Sequence, residues 1–193
     1  MCIRDRFEAV QWAEACRRGV SQAKKVSSVN DGSPWLWDIV LTCYPEATEI
    51  LDWPHATEHL WKAGRAIYGE GTDQAAAWVE AREAEWWEGD VVAVQWALGR
   101  LLQEGGDSVE EARQVQGYMA THAHRMDYTR FRAEGRPIGS GTMESGCKNV
   151  IGWRMKRGGA RWSEEGVNRM TALLGEIHSG RWDEGWERAQ RVA

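Results

Sequence analysis

The sequence predicts an α/β chain of predominantly helical content. A β-rich run, a proline-started helix and a second short β-rich run succeed one another between residues 24 and 53, the order of half an α/β sheet unit. From Pro54 onward only helical periodicity is found. Hydrophobic residues at 42% and charged residues at 27% are globular values and argue against wholesale disorder, so 193 residues suit one domain or a core carrying an insertion.

The first six residues, MCIRDR, match nothing that follows and read as a leader. Residues 7–18 place Phe7, Val10, Ala13 (or Glu14) and Arg17 at helical spacing, with Gly19 as the stop. KKVSSVND is β-rich and ends in the turn NDGSP. Ser33 is a ready N-cap and Pro34 a first helical residue for SPWLWDIVLTCY. After Pro45, ATEILDW reads as a short strand, and the connection is long enough for a parallel crossover.

PHATEHLWKAGRAIYG sets Ala56, Leu60, Ala63 and Ile67 on one stripe and stops at Gly69 and Gly71. TDQAAAWVEAREAEWW and DVVAVQWALGRLLQE each open on a Thr or Asp cap. DSVEEARQVQGYMATHAHRM is a further helix, with Ser108 and Glu111 in capping-box spacing. EGRPIGSG breaks the pattern. Three helices follow: one in PIGSGTMESGCKNVIGWRMKRGG, which Ser140 or Thr142 can cap, one from about Ser163 to His178, and a short one in WDEGWERAQRV.

Composition narrows the function classes. Thirteen Trp stand against two Phe, so many of the tryptophans are expected as core anchors with the indole N–H near a partner. The net charge of −5 announces no nucleic-acid partner, but its distribution is uneven. Residues 70–90 hold seven acids and one base, whereas residues 136–161 hold six bases and one acid, Glu144. Such a swing suggests faces with different neighbours; solvated helix faces that happen to differ are the plainer alternative. Cys2, Cys16, Cys43 and Cys147 form no C-x-x-C pair, which gives neither zinc ribbon nor disulfide framework and makes a reducing cytoplasm the default location. No apolar run reaches 18 residues, so no membrane partner is expected.

Three acids fall at element ends. Asp31 follows the first strand, Asp52 ends the second with His55 and His59 just inside the next helix, and Glu144 lies in a helix first turn. Acids at the carboxyl ends of parallel strands point into the crevice where α/β proteins hold ligands. Oxygen-only ligation suits Mg²⁺ or Mn²⁺, and two such ions about 3.5–4 Å apart serve phosphoryl transfer. Each acid has a plainer reading: Asp31 as a turn residue, Asp52 as an N-cap, Glu144 as a helix-stabilising charge. His55 and His59, four apart on one face, could also join Asp52 in a zinc site. Arg154, Lys156 and Arg157, followed by GGARW, put cations beside a glycine hinge that phosphates can approach.

VNDGSPWLW, YPEATEILDWPHATEHLW, RPIGSGTMESGCKNVIGWRMKRGGARWSEEG and RWDEGW together resemble the transposases of bacterial insertion sequences of the Kra type, relatives of the Mutator-like group. The resemblance runs over residues 7–188 and is strongest at 29–62 and 136–166. It implies a ribonuclease-H-like core with an Asp-Asp-Glu site holding two Mg²⁺ (or Mn²⁺) ions, interrupted by an all-helical insertion. Residues 7–53 then belong to a partial core, 54–135 to the insertion, and 136–193 to the returning helices of the core.

By position, Asp31 matches the second catalytic and metal-binding aspartate and Glu144 the final glutamate. Asp52 and His55 match a supporting Cys/Asp-x-x-His motif, and Lys148, Arg154, Lys156, Arg157 and Arg161 fall where contacts to the DNA backbone are expected. The implied partners are element ends and target DNA, with self-association in a transposition complex. The first aspartate, strands one to three and the upstream DNA-end-binding region have no match here, and Pro54 replaces a more usual aromatic. The expectation is therefore the C-terminal portion of a transposase, inactive alone. The alternatives are a non-catalytic helical DNA-binding or regulatory remnant and a zinc-dependent hydrolase.

Overall fold

The computed structural model describes residues 2–104 and 109–192, in two compact units, Met1–Gly139 and Ser140–Ala193. The first unit opens with α1 (Ile3–Arg17), which starts four residues earlier than the sequence suggests. Ile3 to Arg6 of the expected leader are its first turn, where the Asp5 carboxylate accepts the Cys2 backbone N–H at 3.3 Å. Gly19, at φ +82°, ends the helix in a left-handed conformation open to glycine.

The strand–helix–strand order is present: β1 (Ser27–Asn30), α2 (Pro34–Cys43) and β2 (Thr48–Leu51). The strands pair in parallel, Ser27 opposite Thr48 and Asn30 opposite Leu51, with α2 as the crossover. The Asp52 N–H carries the ladder one step further onto the Asn30 carbonyl at 2.8 Å. α2 buries Trp37, Ile39 and Val40. Pro34 occupies the first turn of α2 as expected, but the Ser33 side chain does not cap it; the Ser33 backbone N–H is instead held by Asp31 at 3.0 Å.

Four helices follow, α3 (Trp53–Tyr68), α4 (Asp73–Trp87), α5 (Val91–Glu104) and α6 (Val109–His122). Local caps fix three of their starts: Asp52 accepts from the His55 N–H at 3.2 Å, Thr72 from Ala75 at 3.2 Å and Asp90 from Ala93 at 2.9 Å. The Ser108–Glu111 capping box expected for α6 lies outside the described residues. α3 packs on both α4 and α6, and α5 packs on the same two, so the four close on one another. Instead of running to Met126 as the sequence suggests, the last helix stops at His122. A tight turn at Ala123–Arg125 leads into the unanticipated α7 (Tyr128–Ala133), which Asp127 caps at the Arg130 N–H.

One core joins sheet and helices: Ile50 and Leu51 of β2 cluster with Leu60, Val79, Trp86, Leu98, Met119, Tyr128 and Phe131. The tryptophans divide. Trp37 and Trp86 are buried, and neither indole N–H finds a partner, contrary to the expectation for core anchors. Eight of the thirteen, including Trp96, Trp153 and Trp186, are exposed.

The second unit contains α8 (Gly141–Gly146), a π-helical segment over Cys147–Gly152, α9 (Trp153–Met155), α10 (Glu164–His178) and α11 (Trp182–Val192). α10 starts where the sequence places it, and Ser163 caps it through the Gly166 N–H at 3.1 Å. Glu176 binds Arg181 at 3.5 Å and Arg188 at 3.1 Å, tying α10 to α11. None of its described residues is buried. The four cysteines are free, and no helix among the described residues is long and apolar enough to cross a membrane.

Candidate metal and nucleic-acid site

Parallel pairing puts the carboxyl ends of β1 and β2 side by side, and with them Asp31 and Asp52. Asp31 is exposed. One carboxylate oxygen accepts the Ser33 backbone N–H across the turn at 3.0 Å. Partial burial acts to raise its pKa, but the Ser33 N–H and hydroxyl and the nearby His55 ring outweigh it and hold Asp31 below the ordinary carboxylate value. An accessible, ionised oxygen donor of this kind fits a hard divalent cation.

Asp52 has a different surrounding. It is 4% exposed, it caps α3, and the Ile138–Gly139 segment lies over it. The Ile138 carbonyl accepts the Trp53 N–H at 2.8 Å, and a Cβ on Gly139 would come within 3.9 Å of an Asp52 carboxylate oxygen. The capping reading therefore describes Asp52, which supports the strand end and meets His55 through the backbone. Asp52→Ala is expected to cost about 1–2 kcal/mol of stability in urea unfolding, the value of a lost cap.

His55 and His59 meet edge to face at 5.2 Å, but they do not converge with Asp52 on a metal. The His59 ring stacks on Tyr118 at 3.8 Å, and the His55 Nδ1 lies 3.7 Å from Glu58. Within each unit, no three His, Cys, Asp or Glu side chains among the described residues gather as a metal-holding group. The zinc arrangement drawn from the i,i+4 spacing fails because one histidine is taken up by aromatic stacking and the aspartate by the helix start.

Burial pushes the His59 pKa down to about 4, helped by the Lys62 and His55 charges. A His that folding keeps neutral gives stability that is whole above the unfolded pKa of about 6.5 and falls as pH drops toward 4. His59→Phe keeps the stack and removes the titration, so its unfolding midpoint is expected to change less between pH 7 and pH 4.5 than wild type. A residual slope from His122, lowered for the same reason, persists.

The helices after Pro54 also reach these strand ends, which the sequence does not announce. The Tyr118 hydroxyl donates to the Asp31 main-chain carbonyl at 3.2 Å, and the Tyr128 hydroxyl to that of Leu51 at 3.0 Å. Arg125 pairs with Glu49 of β2 and lies over the Trp37 ring at 4.1 Å. These contacts span 76 to 87 residues, so no local pattern in the sequence could have pointed to them.

In the second unit, Glu144 is exposed in the first turn of α8. Its own N–H donates to the Ser140 carbonyl at 3.0 Å, and the Ser140 hydroxyl donates to its carboxylate at 3.0 Å. Ser140 is thus at the N-cap position but bonds the glutamate side chain instead of a backbone N–H. One carboxylate oxygen is oriented by that bond, a fit for an oxygen-seeking cation. Asp31 belongs to the first unit and Glu144 to the second.

Lys148, Arg154, Lys156, Arg157 and Arg161 are all exposed, and none is in an ion pair among the described residues. Trp153, 73% exposed, lies between them in sequence, and Arg157 sits over its ring at 5.9 Å while donating to its carbonyl. Unpaired cations beside an exposed aromatic suit a phosphate backbone and a base or sugar face. Arg136, part of the same basic run in sequence, is not available: it pairs with Glu134 at 2.6 Å and donates to Ser27 at 2.9 Å in the first unit. No family model, curated protein or solved structure matches the chain.

Proposed function

We propose that the chain is the C-terminal part of the catalytic region of an insertion-sequence DNA transposase with a ribonuclease-H-like core. The observation that carries this reading is Asp31, exposed and held ionised at the carboxyl end of a strand in a parallel β–α–β unit. That is where α/β proteins expose their ligand-binding groups. The resemblance that assigns Asp31 and Glu144 to the Asp-Asp-Glu set supports it, as does the free cationic cluster of the second unit.

In this reading Asp31 and Glu144 hold Mg²⁺ or Mn²⁺, which when bound activates the attacking oxygen and stabilises the leaving one. Ser33 and Tyr118 fix the Asp31 turn, Ser140 orients the Glu144 carboxylate, and Lys148, Arg154, Lys156, Arg157 and Arg161 bind phosphates. Water would attack a phosphodiester at an element end and release a 3′-hydroxyl as the leaving group; that hydroxyl would then attack a target phosphodiester and displace the target's own 3′-oxygen. The four helices after Pro54 place DNA or a second subunit. The first aspartate has no match in these residues, so the chain supplies two of the three acids.

The test is Mn²⁺-dependent nicking of supercoiled DNA by a polypeptide joining this chain to a strand that carries the first acid. Asp31→Asn and Glu144→Ala are each expected to lower nicking by about 100-fold or more. Equal nicking in variant and wild type ends the assignment of that residue. A non-catalytic DNA-binding remnant is the second reading, favoured by the exposed Trp153 and its free cations. It predicts salt-dependent DNA binding with no divalent-dependent nicking.

A further inference from the structure

Tyr118 sits on α6, yet its hydroxyl donates to the main-chain carbonyl of Asp31, 87 residues away, at 3.2 Å. The contact is made possible by Gly32. That residue is buried with φ at +89°, and a Cβ there would stand 2.3 Å from the Tyr118 Oη. Two histidines clamp the phenol ring: His59 of α3 stacks on it at 3.8 Å, and His122 of its own helix tilts against it at 4.6 Å. The hydroxyl thus has one reach, toward the end of β1.

On the other side of the same turn, the Ser33 N–H holds the Asp31 carboxylate. With the carbonyl fixed from α6 and the carboxylate fixed from Ser33, both ends of the Asp31 residue are tied. Tyr128 repeats the device on β2, donating to Leu51 immediately before Asp52. A main-chain carbonyl can only accept, so the Tyr118 hydroxyl is the donor in this bond.

We propose that Tyr118 is a positioning residue for Asp31: it locks the main-chain turn at the end of β1 and so presents the carboxylate to a divalent cation in one orientation. This rests on the reading of Asp31 as a metal ligand. Removing the hydroxyl frees the turn, and the cation then has to order it on binding.

The test uses the whole chain and Mn²⁺ alone, followed by nuclear magnetic resonance in wild type, Tyr118→Phe and Phe131→Leu. Two quantities are read: amide exchange of Ser33 relative to that of Ile50, and the Mn²⁺ concentration at which the Asp31 signals broaden to half. In Tyr118→Phe, Ser33 is expected to exchange about tenfold faster relative to Ile50, and the Mn²⁺ midpoint to rise about tenfold. Phe131→Leu, a core change in α7, is expected to lower the unfolding midpoint and to move neither quantity.

Unchanged Ser33 exchange in Tyr118→Phe overturns the proposal, and so does an unchanged Mn²⁺ midpoint when wild type binds. Absence of broadening at Asp31 in wild type instead overturns the metal-ligand reading itself, and the proposal with it. If Tyr118→Phe does not fold, Gly32→Ala, whose methyl displaces the hydroxyl, is put through the same two measurements with the same expectations.

Discussion

Replacing Arg154, Lys156, Arg157 and Arg161 together by alanine is expected to lower DNA affinity about 100-fold at low salt. The slope of log affinity against log salt concentration should flatten by about three to four, close to one released counterion per lost cation. The four side chains are exposed and outside any ion pair among the described residues, so their charge is available to phosphate. The loss should be the same for unrelated sequences, since backbone contacts carry no base information. Fluorescence anisotropy with two duplexes of different sequence across 50–300 mM salt measures both quantities. Arg136→Ala is the contrast: its guanidinium is held by Glu134 and Ser27, so DNA affinity should hardly change.

Trp86→Ala is expected to be the most damaging single change to folding, at about 3–5 kcal/mol. Trp86 is fully buried, with its ring 5.6 Å from Trp53 and 5.4 Å from Tyr128. The cavity would open where α4 meets α7 and the start of α3, beside the Trp53 and Tyr128 rings. Against a total stability of about 5–15 kcal/mol for an ordinary domain, such a loss takes a large share. Urea unfolding followed by far-ultraviolet circular dichroism reads it. Trp96→Ala, at a residue 71% exposed, should stay within about 0.5 kcal/mol of wild type.

What was legible in the sequence was local. Pro34 at a helix start, Thr72 and Asp90 as caps, and the stripe of Ala56, Leu60 and Ala63 act within their own helix, and all fall where the pattern puts them. The β–α–β order was legible for the same reason, because two short β-rich runs flanked a well-started helix. MCIRDR shows no apolar stripe, yet α1 begins within it, because its first turn needs only a capping acid and its own backbone bonds. The six residues of α7 are too few to show a period, and its cap, Asp127, reads as an ordinary polar residue.

The candidate site divides in the same way. Asp31 and Glu144 were visible as acids at element ends, and Asp52 as a possible cap. Their surroundings were not visible, because Tyr118, Tyr128 and Arg125 meet the strands only after α3 to α7 have packed. The same holds for the histidines. Spacing of four residues puts His55 and His59 on one face, but tertiary packing sends His59 onto Tyr118. The sequence puts many of the tryptophans in the core, yet eight of the thirteen are exposed, because composition does not say which face of an element each one occupies.

Calorimetric titration of Mn²⁺ into wild type, Asp31→Asn and Glu144→Gln asks most directly whether these two carboxylates hold a divalent ion. Each substitution is expected to weaken Mn²⁺ binding by about tenfold or more. A variant that binds Mn²⁺ as wild type does would contradict the assignment of that acid and, with it, the proposed chemistry.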